Sequence, residues 1–202
     1  MRLHYSPASP FVRKVLVLLH ETGQGEAVTL VTVTGSPYQP ETQPIAANPL
    51  GKVPVLERDD GPALADSRVI CRYLDARAGA GLYPDPPRLW EVLTLEALAD
   101  GIGEAAVAMM YEIRFRPEET RHAPWVEAQW GKVARSLDAI EARWLSHLAG
   151  RLDAAQIALA CMLGYLDFRH GPRDWRAGRP GLAAWYDAFA QRPSMLATLP
   201  PP

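Results

Sequence analysis

The sequence predicts two domains of different class, a small mixed α/β sheet domain followed by an all-helical domain. Over residues 1–78, short β-rich runs alternate with amphipathic helical patterns in the order βαβ and then ββα. Residues 79–88 are rich in Gly and Pro, a composition typical of a linker. From 89 on, the apolar residues keep helical spacing, and the second domain is predicted to span 89–202. Because the β-rich runs are short, the first domain is expected to be a small sheet with helices on its faces.

Helical spacing is clear near the start of the first domain, where Val12, Val15 and Leu19 fall three and four residues apart. This spacing predicts a helix over 10–22, stopped by Gly23. The other predicted elements are strands over 3–5 and 28–33, a loop over 35–44 followed by one helical turn, a hairpin of 53–56 and 63–65 around the turn 59–62, and a helix that Asp66 and Ser67 open.

The second domain is predicted to contain four helices. The helix over 154–168 is apolar on nearly all sides, which marks it as the one surrounded by the others. The remaining predictions are a long helix over 89–113, a second with apolar positions from 126 to 148, a short amphipathic helix over 182–189 and a tail over 193–202.

Composition argues against several function classes. The 21 basic and 23 acidic side chains give a formal charge of -2 without a run of like charges, so nucleic acids and anionic membranes are not expected partners. The longest apolar runs, 15–19 and 157–166, are shorter than the roughly 20 residues that a bilayer span needs. The N-terminal residues show no signal-peptide pattern, so a cytoplasmic location is expected.

Cysteine and histidine usage points to neither a disulfide nor a metal centre. The two cysteines, Cys71 and Cys161, lie in helical apolar patterns and are predicted to pack in the core. The five histidines are scattered and lack metal-ligand spacing. We therefore expect no metal cofactor.

Three local patterns follow one another along the chain. They are Ser-Pro-Phe-Val-Arg-Lys at 9–14, Asn-Pro-Leu-Gly-Lys-Val-Pro-Val-Leu at 48–56 and Asp-Ser at 66–67. In this order, and followed by an all-helical half, they make the chain resemble the cytosolic glutathione transferases, in particular bacterial-like members of the serine type. The resemblance implies a thioredoxin-like N-terminal domain that binds glutathione as co-substrate. It also implies a helical domain that supplies much of the pocket for a hydrophobic electrophile, a homodimer, and a role in detoxification.

Ser9 lies between the first predicted strand and the first helix, so its hydroxyl and the following N–H groups face one point at a positive helix end. A thiolate is favoured there: each unit of pKa lowering takes about 1.4 kcal/mol, and one charge-assisted hydrogen bond contributes about 1.5–3 kcal/mol. The resemblance to serine-type transferases implies that Ser9 donates to the glutathione sulfur. The alternative is that Ser9 is only the N-cap of its helix.

Tyr5 and Ser6 are rival donors, because other members of the resembled family use a tyrosine or a serine near the end of the first strand. Ser9 stands where glutaredoxins and cysteine-type transferases have a cysteine, and Val12 stands where glutaredoxins often have a second one. Disulfide exchange requires a protein thiolate as the attacking group. The sequence therefore argues against disulfide exchange and dehydroascorbate reduction.

Pro54 interrupts a strand-like run, and proline is compatible with a strand only at an edge or a bend. The resemblance implies a cis peptide bond between Val53 and Pro54. The bend would leave the N–H and C=O of Val53 free to pair with the cysteinyl backbone of glutathione, as in strand addition. Lys52 lies beside this edge and would meet the glycyl carboxylate, unless it is an ordinary solvated lysine.

Asp66 and Ser67 place a hydroxyl and unpaired N–H groups at a helix start. Such a helix start can bind the γ-glutamyl carboxylate of glutathione, and Asp66 can pair with the neighbouring ammonium. An ordinary helix cap would have the same sequence.

Asp153 and Gln156 have capping-box spacing before the apolar helix, where relatives in the resembled family commonly show Ser or Thr and Asp. Asp153 can accept from the Gln156 N–H, and the Gln156 side chain can reach back to the N–H of the cap. We predict a structural role, in which the cap stabilises the fold by about 1 kcal/mol.

The electrophile pocket is predicted near the end of the long helix. Methionine side chains adapt to varied apolar ligands, although a Met and aromatic stripe at helical spacing is more often part of a core. The predicted pocket residues are Met109, Met110, Tyr111 and Arg114, with Pro7 and Ala8 on the opposite wall.

The favoured function is that of a glutathione transferase, in which glutathione is the nucleophile and the protein positions and polarises it. One alternative is a transferase-like protein that has kept the fold as a binding or interaction module. Another is a glutathione-dependent isomerase or dehalogenase.

Overall fold

A four-stranded mixed sheet forms the base of the first half of the chain. Its strands are β1 (Arg2–Tyr5), β2 (Thr29–Thr32), β3 (Val55–Arg58) and β4 (Gly61–Leu64). They lie in the order β2-β1-β3-β4, with β1 and β2 parallel and the other neighbouring pairs antiparallel. This arrangement confirms the predicted α/β class with a mixed sheet.

The computed structural model of the chain describes residues 1–34 and 36–201. Gly35, at the start of the predicted loop, and Pro202, at the end of the predicted tail, lie outside the described residues. The chain divides into two compact units, one of residues 1–85 with the C-terminal stretch from Pro193, the other of residues 86–192. The predicted division at 78 and 89 differs from this, and it assigns the C-terminal stretch to the second domain.

Two helices, α1 (Pro10–Glu21) and α2 (Ser67–Ala78), complete the first unit together with the sheet. The predicted apolar positions Val12 and Val15 of α1 are buried. Gly23 follows this helix with a φ of 66°, in the left-handed region that glycine adopts without a Cβ clash. The predicted helix and its stop are therefore confirmed.

The loop before the hairpin ends at a cis peptide bond between Val53 and Pro54, as the resemblance implies, and β3 begins directly after it. A second cis bond joins Ala65 to Asp66, between β4 and α2. The predicted turn is shorter than expected, because β4 already starts at Gly61.

The second unit is all-helical, as predicted. Helix α6 is its core, since residues 154–166 are all buried. The helices are α3 (Arg88–Phe115), α4 (Ala123–Arg143), α5 (Leu145–Leu148), α6 (Ala154–His170) and α7 (Pro180–Phe189). Within the described residues, no helix has both the length and the apolar character that a bilayer span requires.

The predicted helix with apolar positions up to 148 is in fact two, because α4 ends at Arg143 and Trp144 leaves helical geometry with a φ of -116° and a ψ of -2°. Contacts from later in the chain hold the end of α5. The C=O of Leu148 accepts hydrogen bonds from the side chains of Gln156, at 3.1 Å, and Trp185, at 3.0 Å.

The predicted tail contains a helical turn, α8 (Pro193–Leu196), which packs on α1. The Met195 side chain is fully buried, and its C=O accepts a hydrogen bond at 3.1 Å from the guanidinium of Arg13. This buried contact explains why the stretch belongs to the first unit.

Candidate functional site

Three strand ends and two helix starts meet at one end of the sheet. β1 ends at Tyr5, and β3 begins at Val55, which pairs with His4 in the antiparallel ladder. β4 ends at Leu64, which pairs with Leu56 of β3. Because α1 follows β1 and α2 follows β4 after short connections, both helices begin at this end, where their first N–H groups lack helical partners.

Ser9 is the N-cap of α1. Its backbone is extended, with a φ of -84° and a ψ of 123°, and its Oγ accepts a hydrogen bond from the Val12 N–H at 3.3 Å. The residue is half-buried. Because accepting this bond uses only a lone pair, the hydroxyl proton can still be donated to a ligand. The roles of cap and donor are therefore compatible.

The rival donors, Tyr5 and Ser6, occupy different positions. Tyr5 pairs with Thr32 in the sheet, and the C=O of Ser6 accepts from the Ser9 N–H at 3.0 Å in the turn that leads to α1. Both rivals are half-buried. Of the three hydroxyl-bearing residues, Ser9 is the one at the helix start.

The loop that leads to Val53 is held by Asn48, a buried residue of the second sequence pattern to which sequence reasoning assigned no role. Its amide donates to the C=O of Lys52 at 2.9 Å, and its Oδ1 accepts from the Leu50 N–H at 3.1 Å. Gly51, with a φ of 60°, makes the tight turn between them. An asparagine before a proline, with a glycine three residues later, is a turn signal that could have identified this role.

Val53 is half-buried, and none of the hydrogen bonds within the described ranges uses its N–H or its C=O. Neither group is therefore committed to a hydrogen bond within the described part of the fold. The neighbouring Lys52 side chain is exposed, while its C=O is occupied by Asn48. Pro54, which follows the edge, is buried.

Asp66 caps α2. Its two carboxylate oxygens accept hydrogen bonds from the N–H of Arg68, at 2.9 Å, and from the Arg68 guanidinium, at 3.0 Å. Burial alone would raise the pKa of this carboxyl, but the hydrogen bonds from Arg68, together with the charges of Arg68 and Lys14, hold the pKa below its ordinary value. The carboxylate is ionised at neutral pH, and its side chain, 54% exposed, can accept an ammonium group.

Ser67 is the first residue of α2 and is only 2% exposed. Its backbone N–H belongs to the first turn, where helix N–H groups have no intrahelical partner. With Asp66 it offers an N–H group, a hydroxyl and a carboxylate, which suit the carboxylate and the ammonium of an amino-acid end group.

The predicted pocket residues lie in the last turns of α3, in the second unit. Met109 is buried in the core of that unit, whereas Met110 is half-buried, and Tyr111 and Arg114 are exposed. The Tyr111 ring packs edge-on against Phe115 at 5.1 Å, and the Arg114 guanidinium lies over the same ring. This end of α3 thus presents an aromatic and cationic surface, with one of the two methionines turned into the core.

The capping box predicted at the start of α6 is confirmed. The Asp153 carboxylate accepts from the N–H groups of Ala155, at 3.1 Å, and Gln156, at 3.2 Å. The Gln156 side chain accepts in turn from the Asp153 N–H at 3.2 Å. Both box residues are 2% exposed, and these bonds use their polar groups within the unit.

Comparison with known proteins finds a separate family model for each half of the chain. The family model for the glutathione S-transferase N-terminal domain matches residues 8–77, and the model for the C-terminal domain of that family matches residues 123–188. YibF of Escherichia coli K12, described as an uncharacterized GST-like protein, is 36% identical over 205 residues, which cover 100% of this chain and 99% of YibF.

Solved structures extend the comparison. A glutathione transferase family member from Pseudomonas fluorescens Pf-5 with bound glutathione is 49% identical, with a TM-score of 0.96 over 100% of this chain and 99% of that one. A structure of a family member from the same organism with bound S-(propanoic acid)-glutathione is 48% identical, with a TM-score of 0.92 over 100% of both chains. Family models on both halves and relatives similar over their whole length confirm the predicted family: the chain belongs to the glutathione S-transferases.

Proposed function

We propose that this protein is a glutathione transferase that ionises the thiol of glutathione at the start of α1 and directs it onto a hydrophobic electrophile. The observation that carries the proposal is the position of Ser9, a helix cap whose hydroxyl proton can be donated, at the end of the sheet where Val53 presents an unpaired backbone edge. Glutathione bound to a structural neighbour that is 49% identical supports it.

In this proposal, glutathione lies across the end of the sheet as an extended peptide. Its cysteinyl backbone pairs with the N–H and C=O of Val53, next to Pro54, in a short strand addition. The γ-glutamyl carboxylate meets the hydroxyl and N–H of Ser67, and Asp66 accepts the ammonium. The exposed Lys52 pairs with the glycyl carboxylate.

The same placement brings the cysteinyl sulfur to Ser9. A free thiol with a pKa near 8.5 is only a few per cent ionised at pH 7. A hydrogen bond from Ser9 to the thiolate, about 1.5–3 kcal/mol, lowers that pKa by about one to two units and makes the thiolate a major form at neutral pH. Ser9 needs to act neither as a base nor as a nucleophile, because glutathione itself attacks.

For the electrophile, we propose the surface at the end of α3 that Met110, Tyr111 and Arg114 provide. Met110 and Tyr111 supply adaptable apolar contact, and Arg114 supplies a cation. Bound S-(propanoic acid)-glutathione in a neighbour at 48% identity supports a site that accepts a substituent on the sulfur. We further propose that the protein acts in the cytoplasm, as a homodimer, in detoxification. Sedimentation of the purified protein would test the proposed dimer.

Thiolate titration tests the proposal directly. In the wild type, the ultraviolet thiolate absorbance of bound glutathione should titrate at least about one pH unit below that of the free thiol. Ser9→Ala should raise the midpoint by about one unit or more and slow conjugation of an aromatic halide at pH 7. Ser9→Thr is the matched control, since it keeps a hydroxyl at the cap and should keep most of the shift.

The alternatives give different results. An unmoved midpoint in Ser9→Ala would place the donor at Tyr5, Ser6 or the backbone amides. Retention on immobilised glutathione without turnover of any electrophile would instead indicate a binding module. Failure of the wild type to bind glutathione at all would overturn the proposed function.

A further inference from the structure

Arg13, the fourth residue of α1, is a buried cation that is only 7% exposed. Its guanidinium donates to the C=O of Met195 at 3.1 Å and to Oγ1 of Thr198 at 3.5 Å. Both of these oxygens are neutral. In the described part of the chain, the charge of Arg13 is therefore held by hydrogen bonds and is not balanced by a carboxylate.

The segment that holds this guanidinium is itself fixed. Met195 is fully buried, Thr198 Oγ1 donates to the Ser194 C=O at 2.8 Å, and the Ser194 hydroxyl bonds to the Glu21 carboxylate at the end of α1. Arg13 thus contacts a segment that is also anchored to the end of α1, through Ser194 and Glu21.

This placement works against stability in two ways. A cation near the N-terminus of a helix is disfavoured by the helix dipole, and a buried charge without an opposite charge loses hydration that neutral acceptors replace only in part. Because both effects destabilise the fold, packing alone does not explain a buried arginine at this position.

The position of Arg13 relative to Ser9 suggests what that role is. The N–H of Arg13 donates to the Ser9 C=O at 3.0 Å, one helical turn apart. Side chains at i and i+4 share a helix face, and long side chains lean toward the helix N-terminus. By these general rules, the charge of an arginine four residues after Ser9 adds to the positive potential of the helix start.

Other charged groups near the start of α1 interact with groups of opposite charge. The charges of Lys14 and Asp66 interact, and Asp66 is paired with Arg68 as well. Arg13 differs from them because its acceptors are neutral, so its field is not cancelled by an adjacent carboxylate among the described residues.

We propose that Arg13, held by the C-terminal segment, is a positioning residue for the reaction: its buried charge stabilises the glutathione thiolate at Ser9 without touching it. The inference rests on the proposed function, because it requires glutathione to bind with its sulfur at Ser9. In general, a unit charge about 10 Å from a thiolate, at an effective dielectric constant of about 20, shifts the pKa of the thiol by about one unit.

The test is the thiolate titration of bound glutathione in charge variants. Arg13→Gln can still donate to the Met195 carbonyl and should raise the midpoint by about one unit. Arg13→Lys keeps the charge and should restore the midpoint to within about 0.3 units of the wild type. Arg77→Gln, which removes an exposed arginine from the last turn of α2, is the matched charge control and should leave the midpoint unchanged.

A second pair of variants leaves Arg13 in place, in case its replacement unfolds the protein. Thr198→Asp puts a carboxylate beside the guanidinium and should raise the midpoint by about half a unit. Thr198→Asn has the same shape without the charge and should leave the midpoint where it is. Affinity for S-methylglutathione, which has no thiol to ionise, should stay within about twofold in all variants.

The outcomes separate the inference from the proposed function. A wild type that neither binds glutathione nor lowers the pKa of its thiol would overturn the function. A lowered pKa in the wild type that Arg13→Gln and Thr198→Asp leave unmoved would overturn the role of Arg13 and keep the function. Equal shifts in Arg13→Gln and Arg13→Lys would also overturn it, because they would show that geometry matters and charge does not.

Discussion

The starts of α1 and α6 use the same capping chemistry and differ in whether the cap is closed. At α6, the Asp153 carboxylate accepts two N–H groups, and the Gln156 side chain returns a bond to the cap. At α1, Ser9 accepts one N–H at 3.3 Å, from Val12, whose side chain has no polar atom to return a bond. The α6 start is sealed inside its unit, whereas the α1 start is half-buried with a hydroxyl proton to donate.

This difference shows what turns a helix cap into a candidate binding site. Both caps satisfy orphan N–H groups, so the cap residue alone does not separate the two roles. The two roles are separated by how deeply the cap is buried and by whether a second side chain returns a hydrogen bond to it. A closed cap uses its polar groups within the protein, and an open cap leaves some of them for a ligand. We therefore expect replacement of the closed cap to lower the stability of the fold. Replacement of an open cap should instead change the affinity for glutathione or the pKa of its thiol.

The largest effect is expected at the closed start. Besides capping α6, the Asp153 carboxylate lies 2.9 Å from Nε2 of His147 and 3.6 Å from the Arg88 guanidinium. The contact with His147 has ion-pair distance but lacks good hydrogen-bond geometry. Asp153→Ala removes the cap and takes away the carboxylate that faces the buried His147, so we expect the free energy of unfolding to fall by about 3 kcal/mol. Urea denaturation measures it.

Asp153→Asn is the matched control for that experiment. It keeps a cap oxygen and removes the charge that faces His147, so a loss of about 1 kcal/mol is expected. The dissociation constant for glutathione should stay within about twofold in both variants. A large rise in that constant without a loss of stability would show that the closed start belongs to the binding site.

The two starts also show which features sequence patterns predict. The extent of α1, its stop at Gly23 and the capping box at Asp153 depend on residues within one or two turns, and local patterns predict them correctly. The partners of Asp153 do not follow from local patterns, because His147 and Arg88 reach it only once the helices are packed. The stability effect expected from sequence, about 1 kcal/mol for the cap, is therefore smaller than the one expected from the structure.

The candidate site follows the same rule. Ser9, Val53 and Asp66 are predictable from short patterns whose chemistry is local, and the resemblance implies their roles. The contact of Arg13 with Met195 was not predictable, since it joins the two ends of the chain through packing. For this reason, the sequence prediction places the C-terminal stretch in the second domain, whereas the structure places it in the first unit.

An intermediate effect, on the affinity for glutathione, is expected at the start of α2, the second helix that begins at this end of the sheet. Ser67→Ala keeps the cap that Asp66 provides and removes a hydroxyl proposed to bind the γ-glutamyl carboxylate. We expect the dissociation constant for glutathione to rise about tenfold, the loss of one hydrogen bond of roughly 1.4 kcal/mol to a charged group. Isothermal titration calorimetry measures the change.

Ser194→Ala is a suitable control for Ser67→Ala, since Ser194 is also a buried serine of the first unit and its hydroxyl bonds to Glu21. It should leave glutathione affinity within about twofold. Equal affinities of Ser67→Ala and the wild type would mean that the start of α2 is only a cap.

The smallest effect on stability is expected at Ser9, where the proposed effect on the thiol is large. Ser9→Ala removes a single cap bond of 3.3 Å from a half-buried position, without leaving a buried charge unpaired. The free energy of unfolding should fall by about 0.5–1 kcal/mol, well below the loss in Asp153→Ala. Urea denaturation of both variants under one set of conditions makes the comparison. If Ser9→Ala loses as much stability as Asp153→Ala, the α1 start is closed in the same sense as the α6 start, and the distinction between an open and a closed cap fails, because the hydroxyl would then be committed to the fold and not to a ligand.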